Sequence, residues 1–97
     1  MIRKQNENVE DILGSKGRIR VLKVLSESRE LNISEIGRRT GLNYSSVDRH
    51  LEKLEELGLI REKRYGKIRI FEILFRNLDI TFERDKGIRL SIISEQT

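Results

Sequence analysis

Hydrophobic residues in the first half of the chain recur at helical spacing, in segments that polar residues and glycines separate. In the first such segment, Ile19, Leu22 and Leu25 lie three residues apart, a spacing that predicts one buried helix face. Ser15 is a suitable N-cap for this first helix, which is expected to run to about Ser28.

A second, shorter helix is predicted from Glu35 to Thr40, with Ser34 as its N-cap and Glu35 favourably placed in its first turn. Gly41 follows and suits the left-handed conformation in which many helices end. A third helix then opens at or near Asn43. Two helices joined by a few residues around a glycine have the outline of a helix-turn-helix.

The third helix, residues 43–57, has an exposed face whose character changes along its length. On a helical wheel, Val47, Leu51 and Leu54 form one apolar stripe. On the exposed side, hydroxyls and Arg49 occupy the first half, whereas the glutamates lie in the second half. A helix that enters the major groove of DNA does so with its N-terminal residues, so this is a candidate recognition helix.

Two hairpins are predicted after the third helix. β-branched residues on both sides of the turn at 65–67 favour a hairpin over 59–74. Apolar and polar residues alternate again over 78–92, around a turn at 84–87, which favours a second hairpin with one apolar face. A C-terminal helix is the alternative, and the β-branched content disfavours it. Upstream, residues 31–33 could form a minimal strand.

The 97 residues are expected to form a single domain, 1–97, of the α+β class and mainly α. A three-helix core with a β-hairpin wing would occupy 15–74, and 75–97 would be a C-terminal extension. Residues 1–8 are polar and are expected to fray. A core of this size provides little margin of stability, so a dimer interface would stabilise the fold. That interface would form through the N-terminal helix or through residues 78–94.

Charge adds a functional indication, because it is concentrated on one element. The chain carries a net charge of +4, which suits an anionic partner, nucleic acid before a membrane surface. The first hairpin, counted with the arginine just after it, has six cations and two glutamates, so it alone carries a charge equal to that of the whole chain. Its charged residues are Arg61, Glu62, Lys63, Arg64, Lys67, Arg69, Glu72 and Arg76.

Several classes of function are disfavoured. The absence of cysteine excludes disulfides, thiolate metal ligands and cysteine nucleophiles. No apolar run approaches the ~20 residues of a membrane span, and the N-terminus lacks a signal-peptide core, so a cytoplasmic location is expected. No nucleophile–base set or phosphate-binding glycine motif is visible, and we expect neither an enzyme nor a cofactor. The single histidine, His50, is expected to be packed and hydrogen-bonded rather than to bind a metal.

The segment from Ser34 to Ile73 carries several short motifs in a fixed order. They are Ser34-Glu35-Ile36, Gly41-Leu42-Asn43, Val47-Asp48-Arg49-His50-Leu51, Gly58-Leu59-Ile60, and Gly66-Lys67 to Phe71. In these motifs the chain resembles the winged helix-turn-helix transcription regulators, especially the ArsR-like and related archaeal-type regulators, over about 15–74. The resemblance implies a DNA-binding homodimer that regulates transcription. We expect a sequence-specific regulator that binds double-stranded DNA and acts as a repressor, and no residue pattern indicates whether it has a small-molecule effector.

Candidate contacts to DNA follow from the pattern and from the resemblance together. Helix 43–57 would read the major groove, and the wing, 61–71, would contact the backbone or the minor groove. The candidate DNA-binding residues are Asn43, Tyr44, Ser45, Ser46, Asp48, Arg49 and Lys53 in the helix and Arg64, Tyr65, Gly66, Lys67 and Arg69 in the wing. Further candidates for the DNA backbone are Ser34, Arg38 and Arg39, although both arginines would equally suit the C-terminus of a helix.

Two features depart from the resemblance. Asp48 stands where a serine is common; its carboxylate could accept a hydrogen bond from cytosine N4, or it could pair with Arg49 or Lys53. Arg49 itself could instead be a solvated residue paired with Glu52.

Metal-sensing members of the family carry cysteines or clustered histidine and aspartate ligands, whereas this chain has no cysteine and only His50. We therefore expect no metal.

Two other functions would use the same fold. A non-specific architectural DNA-binding protein would need the same charge, and would differ in its ratio of specific to non-specific affinity. A protein-interaction winged helix that no longer binds DNA is the third hypothesis, and the basic exposed face argues against it.

Overall fold

The computed structural model describes residues 2–4 and 9–94 as a mixed α+β fold. The helices are α1 (Val9–Leu13), α2 (Lys16–Ser28), α3 (Ile33–Thr40) and α4 (Tyr44–Glu56). The strands are β1 (Ile2–Lys4), β2 (Glu30–Asn32), β3 (Ile60–Tyr65), β4 (Ile68–Ile73), β5 (Phe75–Glu83) and β6 (Gly87–Ser94). The predicted three-helix core is therefore present as α2, α3 and α4, and the short α1 precedes it.

The predicted first helix is confirmed as α2. Ser15 is its N-cap and accepts a hydrogen bond from the backbone N–H of Arg18 at 3.1 Å. Its apolar face is buried through Val21, Val24 and Leu25. This face is the centre against which α3 and α4 pack.

The second helix begins earlier than predicted. Its N-cap is Asn32, whose side-chain oxygen accepts from the N–H of Glu35 at 2.8 Å, so the assignment of Ser34 as the cap was wrong. Ile33 takes the first helical position because its side chain belongs to the buried face of α3. Gly41 ends the helix at φ 75°, as predicted.

The third helix opens at Asn43, within the predicted range, and has the predicted apolar stripe. Asn43 accepts from the N–H of Ser46 at 2.9 Å, and α4 ends at Glu56. Val47, Leu51 and Leu54 have no exposed surface. The opposite face of α4 is therefore left to solvent, from its first turn onward.

The predicted wing is the hairpin of β3 and β4. Its register pairs Ile60 with Ile73 and Tyr65 with Ile68, so the turn falls at Gly66, which has φ 62°. β2 adds to β4 on the other side, in the sheet order β2-β4-β3. This third strand connects the wing to the loop between α2 and α3.

The C-terminal extension is a hairpin, as predicted, rather than a helix. β5 and β6 pair antiparallel with an irregularity between Phe75 and Asn77, and β1 adds to β6 to give the order β1-β6-β5. Residues 2–4, where fraying was expected, therefore lie in a sheet; residues 1, 5–8 and 95–97 lie outside the described residues.

The C-terminal sheet shares the hydrophobic core of the helices. Leu90 and Ile92 of β6 belong to the same buried cluster as Val9 and Ile12 of α1 and the apolar faces of α2 to α4. The tip of the hairpin extends away from this core, since Phe82 is 71% exposed. None of the described helices is long and apolar enough to cross a membrane.

Candidate nucleic-acid interface

The first turns of α4 present a polar, exposed surface that the cap of the helix organises. The side-chain oxygen of Asn43 accepts both the N–H of Ser46 and the hydroxyl of Ser45, the latter at 3.0 Å. Tyr44 is 57% exposed. The helix therefore begins with a fixed backbone and small polar side chains that leave room for another molecule to approach.

Arg49 is the free cation of this surface. Its side chain is exposed and makes no hydrogen bond or ion pair with any residue in 9–94, so the alternative in which Glu52 pairs with it is not seen. A guanidinium offers five N–H donors in a planar arrangement that suits two acceptors at once. Arg49 thus retains its full capacity to bind an anion or a base edge.

Asp48 pairs with an arginine of the wing rather than with Arg49 or Lys53. Its Oδ1 lies 2.9 Å from a guanidinium nitrogen of Arg69 in β4. The same guanidinium donates to the hydroxyl of Tyr44 at 2.7 Å and to a carboxylate oxygen of Glu62 at 2.8 Å. We refer to Tyr44, Asp48, Glu62 and Arg69 as the Arg69 cluster; it connects the first half of α4 to both strands of the wing.

The Arg69 cluster is more protected from water than a typical surface ion pair. The side chains of Arg69 and Glu62 are each 19% exposed, and the guanidinium lies 5.3 Å from the centre of the Phe71 ring, in a cation–π contact. Hydrogen bonds from Arg69 lower the pKa of Glu62, with a smaller effect of Arg64, and the bond to Glu62 is the largest cause that raises the pKa of Arg69. Arg69 and Glu62 therefore remain ionised, and the cluster joins the first half of α4 to the wing.

Most of the positive charge predicted for the wing is neutralised within the fold. Arg61 pairs with Glu72, and Lys63 lies 3.1 Å from Glu30 of β2 and 3.6 Å from Glu72. The hydrogen bond from Arg61 lowers the pKa of Glu72, and the bond to Glu30 raises the pKa of Lys63. The net charge of the hairpin thus overstated the positive surface that it offers, because carboxylates from β2 and α4 also pair with its cations.

The tip of the wing retains one unpaired cation. Lys67 is exposed next to Gly66, and it forms no ion pair within the described part of the chain. Arg64 pairs with Glu62 at 3.0 Å but keeps a side chain that is 63% exposed. Tyr65 is exposed at the tip as well. At the tip of the wing, Lys67 is therefore the candidate cation that remains unpaired among the described residues.

Of the remaining candidate residues, three are engaged in internal ion pairs and Ser34 is not. Lys53 lies 3.7 Å from both Asp11 and Glu56. Arg38 and Arg39 both pair with Glu35, and their hydrogen bonds lower its pKa. The last candidate of this group, at position 34, is exposed on α3.

His50 is packed as predicted, but not hydrogen-bonded in the predicted way. It is buried, and its Nδ1 has no hydrogen-bond partner within the described residues. Its Nε2 faces Gly17 so closely that a Cβ at that position would lie 2.7 Å away. Burial lowers the pKa of His50, and the charges of Arg18 and Arg49 lower it further, so the ring is neutral. No three histidine, aspartate or glutamate residues in the described ranges are grouped as a metal site requires.

The role of Arg69 in connecting helix and wing was not predicted, although the sequence holds a signal for it. Arg64 and Arg69 stand directly opposite each other in the hairpin register. Two like charges at such a position repel, and a carboxylate on the same face relieves the repulsion. Glu62, two residues before Arg64, is that carboxylate.

Known proteins share both the helix-turn-helix sequence and the fold. Residues 15–62 match the family described as bacterial regulatory protein, arsR family. The chain is 29% identical over 103 residues to the HTH-type transcriptional regulator KdgR of Dickeya chrysanthemi; the match covers 97% of this chain and 33% of that protein. The chain thus spans about a third of the length of this curated relative.

Several solved structures have a similar fold. The antimony-specific transcriptional repressor AntR superposes with a TM-score of 0.60 at 24% identity, over 65% of this chain and 57% of that one. A MarR-family transcriptional regulator from Silicibacter pomeroyi gives 0.60 at 23% identity, over 70% and 50%. The YusO protein of Bacillus subtilis gives 0.59 at 24%, over 69% and 50%.

The fold and these matches define the class of the chain. It has the fold of a winged helix-turn-helix protein, residues 15–62 are similar to the helix-turn-helix of the arsR family, and the named relatives include transcription regulators. The ArsR part of the resemblance is therefore confirmed over residues 15–62, and its archaeal part stays a prediction.

Proposed function

We propose that this chain is a sequence-specific double-stranded DNA-binding regulator, that it acts as a repressor, and that it has no enzymatic role. One observation carries the proposal: the exposed, unpaired Arg49 lies on the first half of α4, opposite the buried stripe, where helices of this kind enter the major groove. The description of AntR as a transcriptional repressor supports the direction of regulation.

Arg49 and Asp48 are proposed to read neighbouring bases. An arginine that no other residue engages can bind O6 and N7 of guanine with two hydrogen bonds. Arg69 engages Oδ1 of Asp48, and this contact orients the carboxylate, whose side chain remains 46% exposed, so that its second oxygen can accept from cytosine N4. Each half-site would therefore contain a guanine and a cytosine at fixed positions.

The wing is proposed to contact the DNA backbone or the minor groove through Lys67, with Tyr65 and Gly66 beside it. Because the other wing cations are paired with carboxylates, few phosphates would be neutralised by each subunit. Phosphate contacts supply nearly all of the affinity for non-specific DNA. This favours a sequence-specific reader over an architectural protein that coats DNA.

A homodimer in the cytoplasm is part of the proposal. Two copies would place their recognition helices about 34 Å apart, one turn of duplex, on a quasi-palindromic site. The candidate elements for the interface are the N-terminal helix and the C-terminal hairpin.

A titration of a random-sequence duplex at low salt tests the first step of this proposal. The double variant Arg49→Ala/Lys67→Ala is expected to weaken binding and to make the salt dependence shallower by about one unit of slope per lost phosphate contact. The matched control, Arg84→Ala/Lys86→Ala, removes two exposed cations from the turn between β5 and β6 and should change neither quantity. Equal effects of the two double variants, or no binding to duplex at low salt, would contradict the proposal.

A further inference from the structure

A second exposed surface lies on the outer face of α2, apart from α4 and the wing. It is an open groove of about 310 Å³ between α2 and β5. We refer to it as the α2–β5 groove; its lining consists of Ile19, Leu22, Lys23, Ser26, Phe75 and Leu78. Ile19 is 39% exposed although it stands on the apolar side of an amphipathic helix. The groove therefore leaves apolar surface in water that the core does not cover.

The charge around the groove has one sign. Two further depressions adjoin it, and they share residues of α2 and β5 with it. Among the described residues, every charged side chain that lines the three depressions is a cation: Lys16, Arg20, Lys23, Arg29 and Arg76. Lys16, Lys23 and Arg76 form no ion pair with any other described residue, in contrast to the paired cations of the wing.

These features select the chemistry of the occupant. Apolar side chains would fill the floor of the groove, and carboxylates would meet the cations around it. A second copy docked through the same face would bring like charges together, which is unfavourable, so the proposed homodimer would use other surfaces of the N-terminal helix and of the C-terminal hairpin. A flat bilayer would not fill a concave trough, whereas an amphipathic helix fits a hydrophobic groove through residues at helical spacing. We propose that the α2–β5 groove docks an acidic amphipathic segment of a partner protein.

This surface would allow a DNA-bound regulator to recruit another protein, since it uses none of the residues proposed to read DNA. Binding should require both parts of the chemistry. Loss of the apolar contact or reversal of the charge is expected to weaken the affinity for the partner by about tenfold or more, as is typical for a residue at the centre of an interface. Added salt should weaken it as well, because the carboxylates meet exposed cations.

The experiment is a selection from a displayed library of random peptides of ~15 residues, about four helical turns, against the immobilised full chain. The test variant is Ile19→Glu/Lys23→Glu, which changes one exposed apolar residue and one cation of the groove. The matched control is Phe82→Glu/Lys86→Glu, which makes the same two changes at the tip of the β5–β6 hairpin. Circular dichroism verifies that each variant is folded, and Lys16→Glu/Lys23→Glu, which alters only exposed cations, replaces the test variant if it unfolds.

We expect the enriched peptides to combine large apolar residues at helical spacing with aspartate or glutamate. These peptides should bind the wild type and the control variant equally and should not bind the test variant. The proposal is overturned if no peptide depends on the groove, or if the groove-dependent peptides carry no acidic residues. It is also overturned if anionic lipid vesicles bind through the groove and no peptide does, because the occupant would then be a membrane surface.

Discussion

Arg69 offers the sharpest test of how this domain positions its recognition helix. Replacement by glutamine removes the guanidinium that donates to Tyr44, Asp48 and Glu62. Hydrogen bonds to charged groups contribute about 1.5–3 kcal/mol each when both partners are protected, and less when water reaches them. Since Arg69 and Glu62 are largely shielded and Asp48 is not, we expect a loss of about 2–3 kcal/mol in the free energy of unfolding.

The assay is urea denaturation followed by circular dichroism, with Arg61→Gln as the control. Arg61 also pairs with a glutamate of the same hairpin, but it is 59% exposed and does not contact α4. Its replacement should cost under about 0.5 kcal/mol. A double-mutant cycle between Arg69→Gln and Asp48→Asn should give a coupling of about 0.5–1 kcal/mol, the part that joins helix to wing. If Arg69→Gln costs no more than Arg61→Gln, or the coupling is zero, the cluster does not hold the two elements together.

Two further predictions concern stability. Gly17→Ala should destabilise the fold by about 1–3 kcal/mol, because its Cβ would lie 2.7 Å from the ring of the buried His50. The control, Gly37→Ala in α3, meets only ordinary contacts and should stabilise the fold by about 0.5–1 kcal/mol. Equal thermal melting temperatures of the two variants would contradict this prediction. Because Arg69 lowers the pKa of Glu62 below 4.5, the stabilisation from Glu62 is complete above pH 4.5 and is lost as pH falls through the folded pKa. Glu62→Gln should therefore flatten the acid limb of stability against pH, and an unchanged limb would refute the assignment.

Local patterns were sufficient to predict the three core helices and both hairpins. The stripe of Val47, Leu51 and Leu54 follows from the spacing of neighbouring residues, so a helical wheel recovers it, and Asn43 marks the start of the helix by its residue type. The cap of α3 was misassigned because Ser34 and Asn32 are both good caps, and the choice depends on whether Ile33 is buried by the rest of the fold. The strand at residues 2–4 was missed for a similar reason, since it exists through pairing with β6, about ninety positions away.

The electrostatics of the candidate site were harder to predict than its location. Counting charges along the hairpin treated its cations as free, but Glu30 and Asp48 reach them from other elements. Sequence distance hides such pairs, and only the register of Arg64 against Arg69 indicated that a carboxylate was needed. The exposed start of α4 was predictable because it follows from the direction of the helix and from its buried face.

A binding selection from random duplexes, read by sequencing at about 0.15 M salt, tests the central claim most directly, since non-specific binding is already weak there. We expect the selected duplexes to contain a quasi-palindrome whose half-sites lie about one helical turn apart. The Arg49→Ala variant should lose the preference for one base in each half-site. If duplexes are bound but share no sequence motif, the protein is an architectural DNA-binding protein. If no duplex is enriched at all, the proposal that α4 binds specific base sequences is contradicted.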